Sequence, residues 1–353
     1  MASTSSIASC WKKLSGEDRW DNLLHPLDLN LRRYIIHYLQ RAGAAGDAFN
    51  ATKASKGYAL SLYPTGEYFD KVGLEKGNPY HYTVTDFIYA VTGDDQAAYI
   101  AYVAVATDEG KAVLGRRDIL VSWRGTMTKE EWTADANLIQ TSAKDLFGTD
   151  AVQVHAGFHG IYTKTTASNP YAKTSAREQA RKAVQTLVDK YQHEEVSITA
   201  FMVTCFPAAS PRVGNEAFRI VSETLLNFHL LRIVNSTDLV PKVPYAPLIY
   251  THVGHVLEID TTKSPHLKNK HSAHNLEIYE HGVAGVQEDG FELEEELGFD
   301  NAVVNKYSDS LVEEEYRIPD NWWTKELFKG MVQQGDGSWK FIDSAYVPDP
   351  PSA

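Results

Sequence analysis

Hydrophobic residues near the start of the chain recur at the spacing of an α-helix. Between residues 31 and 39 they fall on one helix face, and they are Leu31, Tyr34, Ile35, Tyr38 and Leu39. A longer helix is predicted from Ser175 to Gln192, because Ser175 and Glu178 have the spacing of a capping box ahead of an amphipathic stretch. Each helix is expected to bury its apolar stripe.

From Thr83 onward the pattern changes to short runs rich in β-branched and aromatic residues, which are typical of strands. The clearest runs are Phe87–Val91, Ala98–Ala106, Asp118–Ser122, Leu230–Val234 and Val253–Ile259. Strands that alternate with helices in the middle of a chain favour an α/β fold whose sheet is at least partly parallel.

No internal repeat and no long linker divides the chain, so a single domain is predicted over residues 1–353. Residues 1–80 are expected to form a helical N-terminal cover, and residues 83–285 to form the sheet core and the site. Residues 286–353 hold an acidic tract and an aromatic tail that are expected to pack on this core. Gly290–Glu296 in that tract is interpreted as a solvated surface segment.

Composition excludes several classes of function. The chain has 34 Lys and Arg against 46 Asp and Glu, a net charge of −12, which disfavours nucleic acid as a partner. Its longest strongly apolar run, Ala97–Ala106, is far short of the ~20 residues that span a bilayer, so any membrane contact is expected to be peripheral. Two cysteines cannot make a disulfide framework, and residues 1–9 lack a signal peptide pattern. A cytoplasmic protein is therefore predicted.

The first candidate for chemistry is the end of the predicted strand at Ser122. There Gly125 and Thr126 would place backbone N–H groups and a hydroxyl at the edge of the sheet where α/β enzymes collect ligands. Such donors can form an oxyanion hole. The alternative is a turn that Gly125 closes and Thr126 caps.

The second candidate is Asp238, which follows the predicted strand Leu230–Val234. An aspartate at a strand end can orient a histidine, or it can cap its own loop in an Asx turn. His274 comes 36 positions later and is a candidate general base, and the pair has the order Asp before His.

Six histidines between residues 252 and 281 raise the question of a metal site, and they are His252, His255, His266, His271, His274 and His281. In a strand-like run, His252 and His255 point to opposite faces. No cysteine or acidic cluster completes a ligand set. No metal site is therefore predicted.

A serine nucleophile on a Gly-x-Ser-x-Gly turn would complete this set of residues. No serine in the chain has glycine at both the second position before it and the second position after it. Cys205 and Ser210 are the remaining candidates. Cys205 is interpreted as a buried structural thiol, and Ser210 as part of a turn before Pro211.

Together these motifs resemble plant class II phospholipase A1 within the class 3 lipase family of α/β-hydrolase folds. The resemblance covers nearly the whole chain and rests on several motifs in one order, which include Trp11–Gly16, Ser122–Thr126, Val154–Phe158, Ala209–Gly214, Asp238–Pro244, His274–Glu277, Tyr279–Gly285, Lys329–Gln333 and Asp336–Trp339. It implies a mostly parallel central sheet, hydrolysis of glycerolipid acyl esters at the sn-1 position, and no cofactor.

By the same resemblance, Asp238 and His274 match the acid and the base of a Ser-Asp-His triad. Gly125 and Thr126 match the first oxyanion-hole segment. His281 is the weaker candidate for the base, because His274 has the family's spacing after the aspartate.

One departure from the family is large. Family members carry Gly-His-Ser-Leu-Gly, a helix and a second strand before the Ser-Pro-Arg-Val-Gly turn, whereas here Glu195–Thr199 runs directly into Ala200–Phe206. A crossover of roughly thirty to forty residues is expected to be missing, and with it the covering of a central strand. The leading hypothesis is a phospholipase A1-type acylhydrolase without its nucleophile segment, and the alternative is a catalytically inactive protein that binds lipid or a partner.

Overall fold

The computed structural model describes residues 6–92, 96–125, 138–194, 202–245, 249–268, 273–286, 290–307, 311–323 and 328–342.

The N-terminal part of the protein is helical. Helix α1 spans Ile7–Leu14, α2 spans Leu29–Asp47 and the short α3 spans Tyr68–Lys71. The Asp28 carboxylate caps α2 by accepting a hydrogen bond from the Leu31 N–H at 2.9 Å. The predicted stripe is confirmed, because α2 buries Leu31, Tyr34, Ile35 and Leu39.

An antiparallel sheet follows. Its strands are β1 (Tyr82–Val91), β2 (Ala97–Ala106) and β3 (Ile119–Trp123), in the order β1-β2-β3, and α4 (Asp108–Leu114) lies between β2 and β3. Each predicted strand in this part of the chain is confirmed. Every residue of β2 is buried, which explains why this strand forms the longest apolar run. The connection between β1 and β2 is short and permits antiparallel pairing, whereas parallel neighbours need a longer crossover.

Helix α7 (Ala176–Lys190) covers one face of this sheet. It begins with the predicted capping box, since Glu178 N–H donates to Ser175 Oγ at 3.2 Å and Ser175 N–H donates to Glu178 Oε2 at 2.9 Å. Its buried positions Ala180, Ala183 and Leu187 pack against apolar side chains of the three strands. Before α7 lie β4 (Gln140–Ser142), α5 (Lys144–Phe147), β5 (Gln153–His155) and α6 (Ala156–Thr163).

A second sheet is parallel and carries the candidate acid. It consists of β6 (Val203–Cys205), β7 (Phe228–Asn235) and β8 (His255–Ile259), in the order β6-β7-β8, and α8 (Glu216–Thr224) connects the first two strands. The predicted α/β class is confirmed. The sequence predicts a mostly parallel sheet, whereas among the described residues this second sheet is parallel and the first is antiparallel. Residues 195–201, where the missing crossover is predicted, lie outside the described residues.

The two faces of the parallel sheet differ. On one face Leu231, Ile233, Leu257 and Ile259 are buried in the main core, which they share with α2 and with α9 (Leu276–Ala284). On the other face the alternate residues of β7 are only half-buried, and Val256 of β8 is exposed. Parallel sheets are usually covered on both faces, whereas among the described residues this sheet is packed on one face and only partly covered on the other.

The C-terminal part contributes two hairpins and an aromatic cluster. Strands β9 (Gly285–Val286) and β10 (Glu292–Leu293) pair, as do β11 (Met331–Gln333) and β12 (Trp339–Phe341). The cluster contains Trp322, Trp323, Phe328 and Trp339. The acidic tract is solvated through its glutamates Glu292, Glu295 and Glu296, but Phe291 within it is buried and stacks on the His281 ring.

Candidate active site

Asp238 lies three residues beyond the carboxyl end of β7 and is 1 % exposed. Its two carboxylate oxygens have separate partners. Oδ1 accepts a hydrogen bond from the Val240 N–H at 2.9 Å, which is the Asx-turn geometry considered above. Oδ2 accepts from the His274 ring at 2.8 Å. One carboxylate therefore caps its own loop and orients a histidine at the same time.

The hydrogen bonds around Asp238 favour its ionised form. Burial alone would raise the pKa of this carboxyl, but hydrogen bonds from His274, from the Val240 N–H and from Tyr279 outweigh burial and lower the pKa below the ordinary value. Tyr279 donates its hydroxyl proton to Oδ2 at 2.7 Å. A charged aspartate is thus held against the histidine at neutral pH.

His274 lies directly before α9, and the start of this helix fixes its position. The Asn275 side chain caps α9 by accepting from the N–H groups of Glu277 and Ile278, at 2.8 and 3.2 Å. The imidazole of His274 is 36 % exposed. Because Nδ1 donates to Asp238, the neutral ring has its lone pair on Nε2. This arrangement can accept a proton from a nucleophile or a water molecule at Nε2.

Asn235 joins the segments that meet at the couple of Asp238 and His274. It is fully buried at the end of β7, and its amide donates to Thr261 Oγ1 at 2.9 Å and to the Ala273 carbonyl at 3.4 Å. The Ala273 carbonyl directly precedes His274. The sequence analysis predicted no role for Asn235 or Tyr279. The signal for Asn235 is its position at the buried end of a strand, and the signal for Tyr279 is its place in the motif Tyr279–Gly285.

The predicted oxyanion segment is described only in part. Gly125 lies two residues after β3, and the chain leading to it is fixed because Arg124 donates from its backbone N–H to the Ile100 carbonyl at 2.9 Å and from Nε to the Tyr99 carbonyl at 2.7 Å. A Cβ placed on Gly125 would meet no heavy atom of the described residues within 4 Å. Thr126 lies outside the described residues.

The two candidate substitutes for the nucleophile lie in structural positions. Cys205 pairs with Leu230 of β7, and burial raises the pKa of its thiol to about 11. A thiol with that pKa is protonated at neutral pH and is a poor nucleophile. Ser210 donates its hydroxyl proton to the Pro211 carbonyl at 3.2 Å. Within the described part of the chain, neither side chain is hydrogen-bonded to His274.

The remaining histidines have separate environments. His281 is buried between Ser264 Oγ at 2.8 Å and Asn301 Oδ1 at 3.1 Å, and His266 contacts the Tyr316 hydroxyl at 2.6 Å. His255 packs against Trp20, and His271 lies outside the described residues. Over the ranges that the structure describes, no group of three or more His, Cys, Asp or Glu side chains could hold a metal ion.

Comparisons with known sequences all indicate one family of lipases. The sequence profile of the family described as lipase (class 3) matches residues 120–201 and, separately, residues 195–248. Phospholipase A1-IIbeta of Arabidopsis thaliana is 37 % identical over 390 aligned positions, which cover 95 % of this chain and 93 % of the relative. Phospholipase A1-II 4 of Oryza sativa subsp. japonica is 38 % identical over 385 positions, covering 96 % of each chain.

The chain belongs to the class II phospholipase A1 group of the class 3 lipase family. Its fold is accordingly that of the α/β-hydrolases. Among solved structures, lipase II from Rhizopus niveus superimposes with a TM-score of 0.42 at 17 % identity, covering 63 % of this chain and 79 % of that one. Within the described residues no helix combines the length and the apolar character needed to cross a bilayer.

The alignment with the Arabidopsis phospholipase A1-IIbeta is longer than this chain. It has 390 positions, 37 more than the 353 residues present here. At least 37 residues of the relative are therefore aligned with gaps in this chain.

Proposed function

We propose that this chain is a phospholipase A1-type acylhydrolase by descent, acting on phospholipids at the sn-1 position, whose acid–base couple is intact and whose nucleophile segment is missing. The observation that carries the proposal is the hydrogen bond of 2.8 Å between Asp238 Oδ2 and His274 Nδ1. It joins two residues that are 36 positions apart in the sequence, in a chain that belongs to a family of lipases.

In the proposed mechanism each residue has one role. Asp238 holds the imidazole in the tautomer whose Nε2 carries the lone pair that accepts a proton, and it stabilises the imidazolium that then forms. His274 removes the proton from the attacking hydroxyl and later returns it to the leaving group. Gly125 and Thr126 are proposed to stabilise the oxyanion.

Three observations support the loss of a segment between Thr199 and Ala200. The chain has no Gly-x-Ser-x-Gly motif. The class 3 lipase profile matches in two pieces that meet at residues 195–201. The alignment with the Arabidopsis relative exceeds the chain by 37 positions. Without a serine there is no acyl-enzyme, and in triads of this type only weak residual catalysis remains.

The decisive experiment compares this chain with one that carries Gly-His-Ser-Leu-Gly and its crossover between Thr199 and Ala200. Fatty-acid release from phosphatidylcholine should be near background for the first and robust for the second. In the restored chain, His274→Ala should lower kcat by a factor on the order of 10⁴ to 10⁶. His193→Ala, a change at an exposed histidine, is the matched control and should have no effect.

Sequencing the transcript across the Thr199–Ala200 junction establishes which chain is made. A transcript that encodes the inserted segment would identify an active enzyme. Robust fatty-acid release by the chain as printed, lost in His274→Ala, would contradict the proposed loss of the nucleophile.

The second candidate function is a catalytically inactive protein that binds lipid, in the cytoplasm or at a membrane surface. It is favoured by the lack of a Gly-x-Ser-x-Gly motif in the sequence and by the position of Cys205 within a strand of the parallel sheet. A transcript identical to the printed sequence, together with binding to phosphatidylcholine vesicles without fatty-acid release, would favour it. The proposed cytoplasmic location agrees with two cysteines that are not joined in a disulfide.

A further inference from the structure

An arginine with an unpaired side-chain nitrogen lies on the partly covered face of the parallel sheet. Arg232 is in the middle of β7, between Leu231 and Ile233, whose side chains are buried on the opposite face. Its Nε is buried and has no hydrogen-bond partner among the described residues. Glu258 of β8 attracts the guanidinium, but within the described residues it forms no ion pair with it. Such a buried donor is costly when it is left unpaired.

A second arginine approaches from the turn after β6. The turn is held beside β7, because Ala209 N–H donates to the Ile233 carbonyl at 3.2 Å. Arg212 in this turn donates to the carbonyls of Lys242 and Pro244, both in the loop that begins with Asp238. Arg212 is close enough to Arg232 for its charge to lower the pKa of Arg232, in addition to the larger effect of burial.

A histidine completes the group. His252 follows Thr251, whose N–H donates to the Gly214 carbonyl at 2.9 Å, and this bond holds His252 beside the same turn. Its Nδ1 is buried and, in the part of the chain that the structure describes, has no hydrogen-bond partner. Burial, and then the charges of Arg232 and Arg212, lower the pKa of His252 to about 4. The ring is therefore neutral at pH 7 and can donate one hydrogen bond.

As a group, these three side chains carry an excess of positive charge and include two buried nitrogens without a partner among the described residues. The chain as a whole carries −12, so a local concentration of arginine is not a consequence of composition. Arginine is suited to a phosphate group because its planar guanidinium forms paired, charge-assisted hydrogen bonds. A bound phosphate would supply acceptors to both unpaired nitrogens.

We propose that Arg212, Arg232 and His252 bind a phosphate group beside the Asp238 loop. Arg212 links the proposed phosphate site to this loop, because it donates hydrogen bonds to the carbonyls of Lys242 and Pro244. The phosphate belongs either to a glycerophospholipid head group or to a free phosphate ion. Only the first assignment rests on the proposed function, because it makes the site the element that recognises the substrate's head group.

Binding is measured by calorimetry on the chain as printed, with inorganic phosphate and separately with phosphatidylcholine vesicles. Saturable 1:1 binding of phosphate is expected, and Arg232→Gln should weaken it about tenfold or more, because each charge-assisted hydrogen bond contributes strongly. Arg232→Lys keeps the charge but loses the planar fork, so it should retain part of the affinity. The control is Arg219→Gln, which removes a half-buried arginine that is ion-paired within α8.

The two ligands distinguish the source of the phosphate. Arg232-dependent binding of both inorganic phosphate and vesicles supports a lipid head group, and Arg232-dependent binding of phosphate alone supports the free ion. The proposal is overturned if phosphate does not bind saturably, or if folded Arg232→Gln binds as tightly as the unchanged chain. None of these measurements requires catalysis, so a failure here is distinguishable from a failure of the proposed hydrolysis.

Discussion

Tyr279→Phe removes one oxygen atom and thereby tests how the acid–base couple is held. The lost hydroxyl donates to Asp238 Oδ2 at 2.7 Å, and the carboxylate that accepts it is 1 % exposed. A hydrogen bond to a charged group contributes about 1.5–3 kcal/mol. The ring itself stays buried, so little apolar packing is lost. We expect the free energy of unfolding to fall by about 2 kcal/mol at pH 7.

The pH dependence of this loss has a definite sign. Burial is the largest single effect on the pKa of Asp238 in the folded protein, and it raises that pKa. The Tyr279 hydrogen bond is one of several that together outweigh burial, so the pKa is lowered. A lowered carboxyl pKa contributes stability above the unfolded pKa of about 3.9, and that stability is lost as the pH falls through the folded value. The difference between the variant and the unchanged chain should therefore be full at pH 7 and shrink below about pH 4.

Urea denaturation gives the measurement, with an unchanged m value as the sign that only stability has changed. Tyr171→Phe is the matched control, since this tyrosine is 44 % exposed and its hydroxyl makes no hydrogen bond within the described part of the chain. The control should change stability by less than about 0.5 kcal/mol. A loss in Tyr279→Phe no larger than in the control would refute the role given to this hydroxyl.

Three further predictions concern buried polar groups. Asn235→Ala should cost about 1–3 kcal/mol in urea denaturation, because it leaves the partners of a fully buried amide unpaired. Burial raises the pKa of Glu277 to about 7, so stability should fall as the pH rises from about 4 to 7, and Glu277→Gln should reduce that fall by up to about 3 kcal/mol. Cys205 should be alkylated at least about 100-fold more slowly than a model thiol at pH 7.5, because its raised pKa leaves little thiolate. Mass spectrometry follows the reaction, and equal rates would contradict the raised pKa.

Local patterns predicted the regular elements well. The helix predicted over Ser175–Gln192 is observed as Ala176–Lys190, and the strand predicted over Leu230–Val234 is observed as Phe228–Asn235. In both cases the signal is local, because capping and alternation depend on residues a few positions apart. The sequence did not predict that the first sheet is antiparallel, since pairing direction depends on contacts between distant segments.

The local sequence could not decide between two hydrogen-bonding arrangements of Asp238, for a physical reason. The sequence analysis treated the Asx turn and the contact with a histidine as alternatives. A carboxylate has two oxygens with room for several donors, and the structure uses one for Val240 N–H and the other for His274 and Tyr279. Tyr279 was missed because its hydroxyl reaches Asp238 across 41 positions of sequence, and no periodicity records such a contact.

The partly covered face of the parallel sheet connects the segment that we propose is missing with the proposed phosphate site. Arg232 lies on the face opposite the core, and Val256 beside it is exposed. A strand-helix crossover adds a helix to one face of the sheet that it enters, so a restored crossover that packs on this face would cover Arg232 and bury the guanidinium further. An arginine cannot be buried without an anion or acceptors to pair with it. In a restored chain Arg232 would therefore need a partner, which is either an acceptor from the inserted segment or the bound phosphate itself.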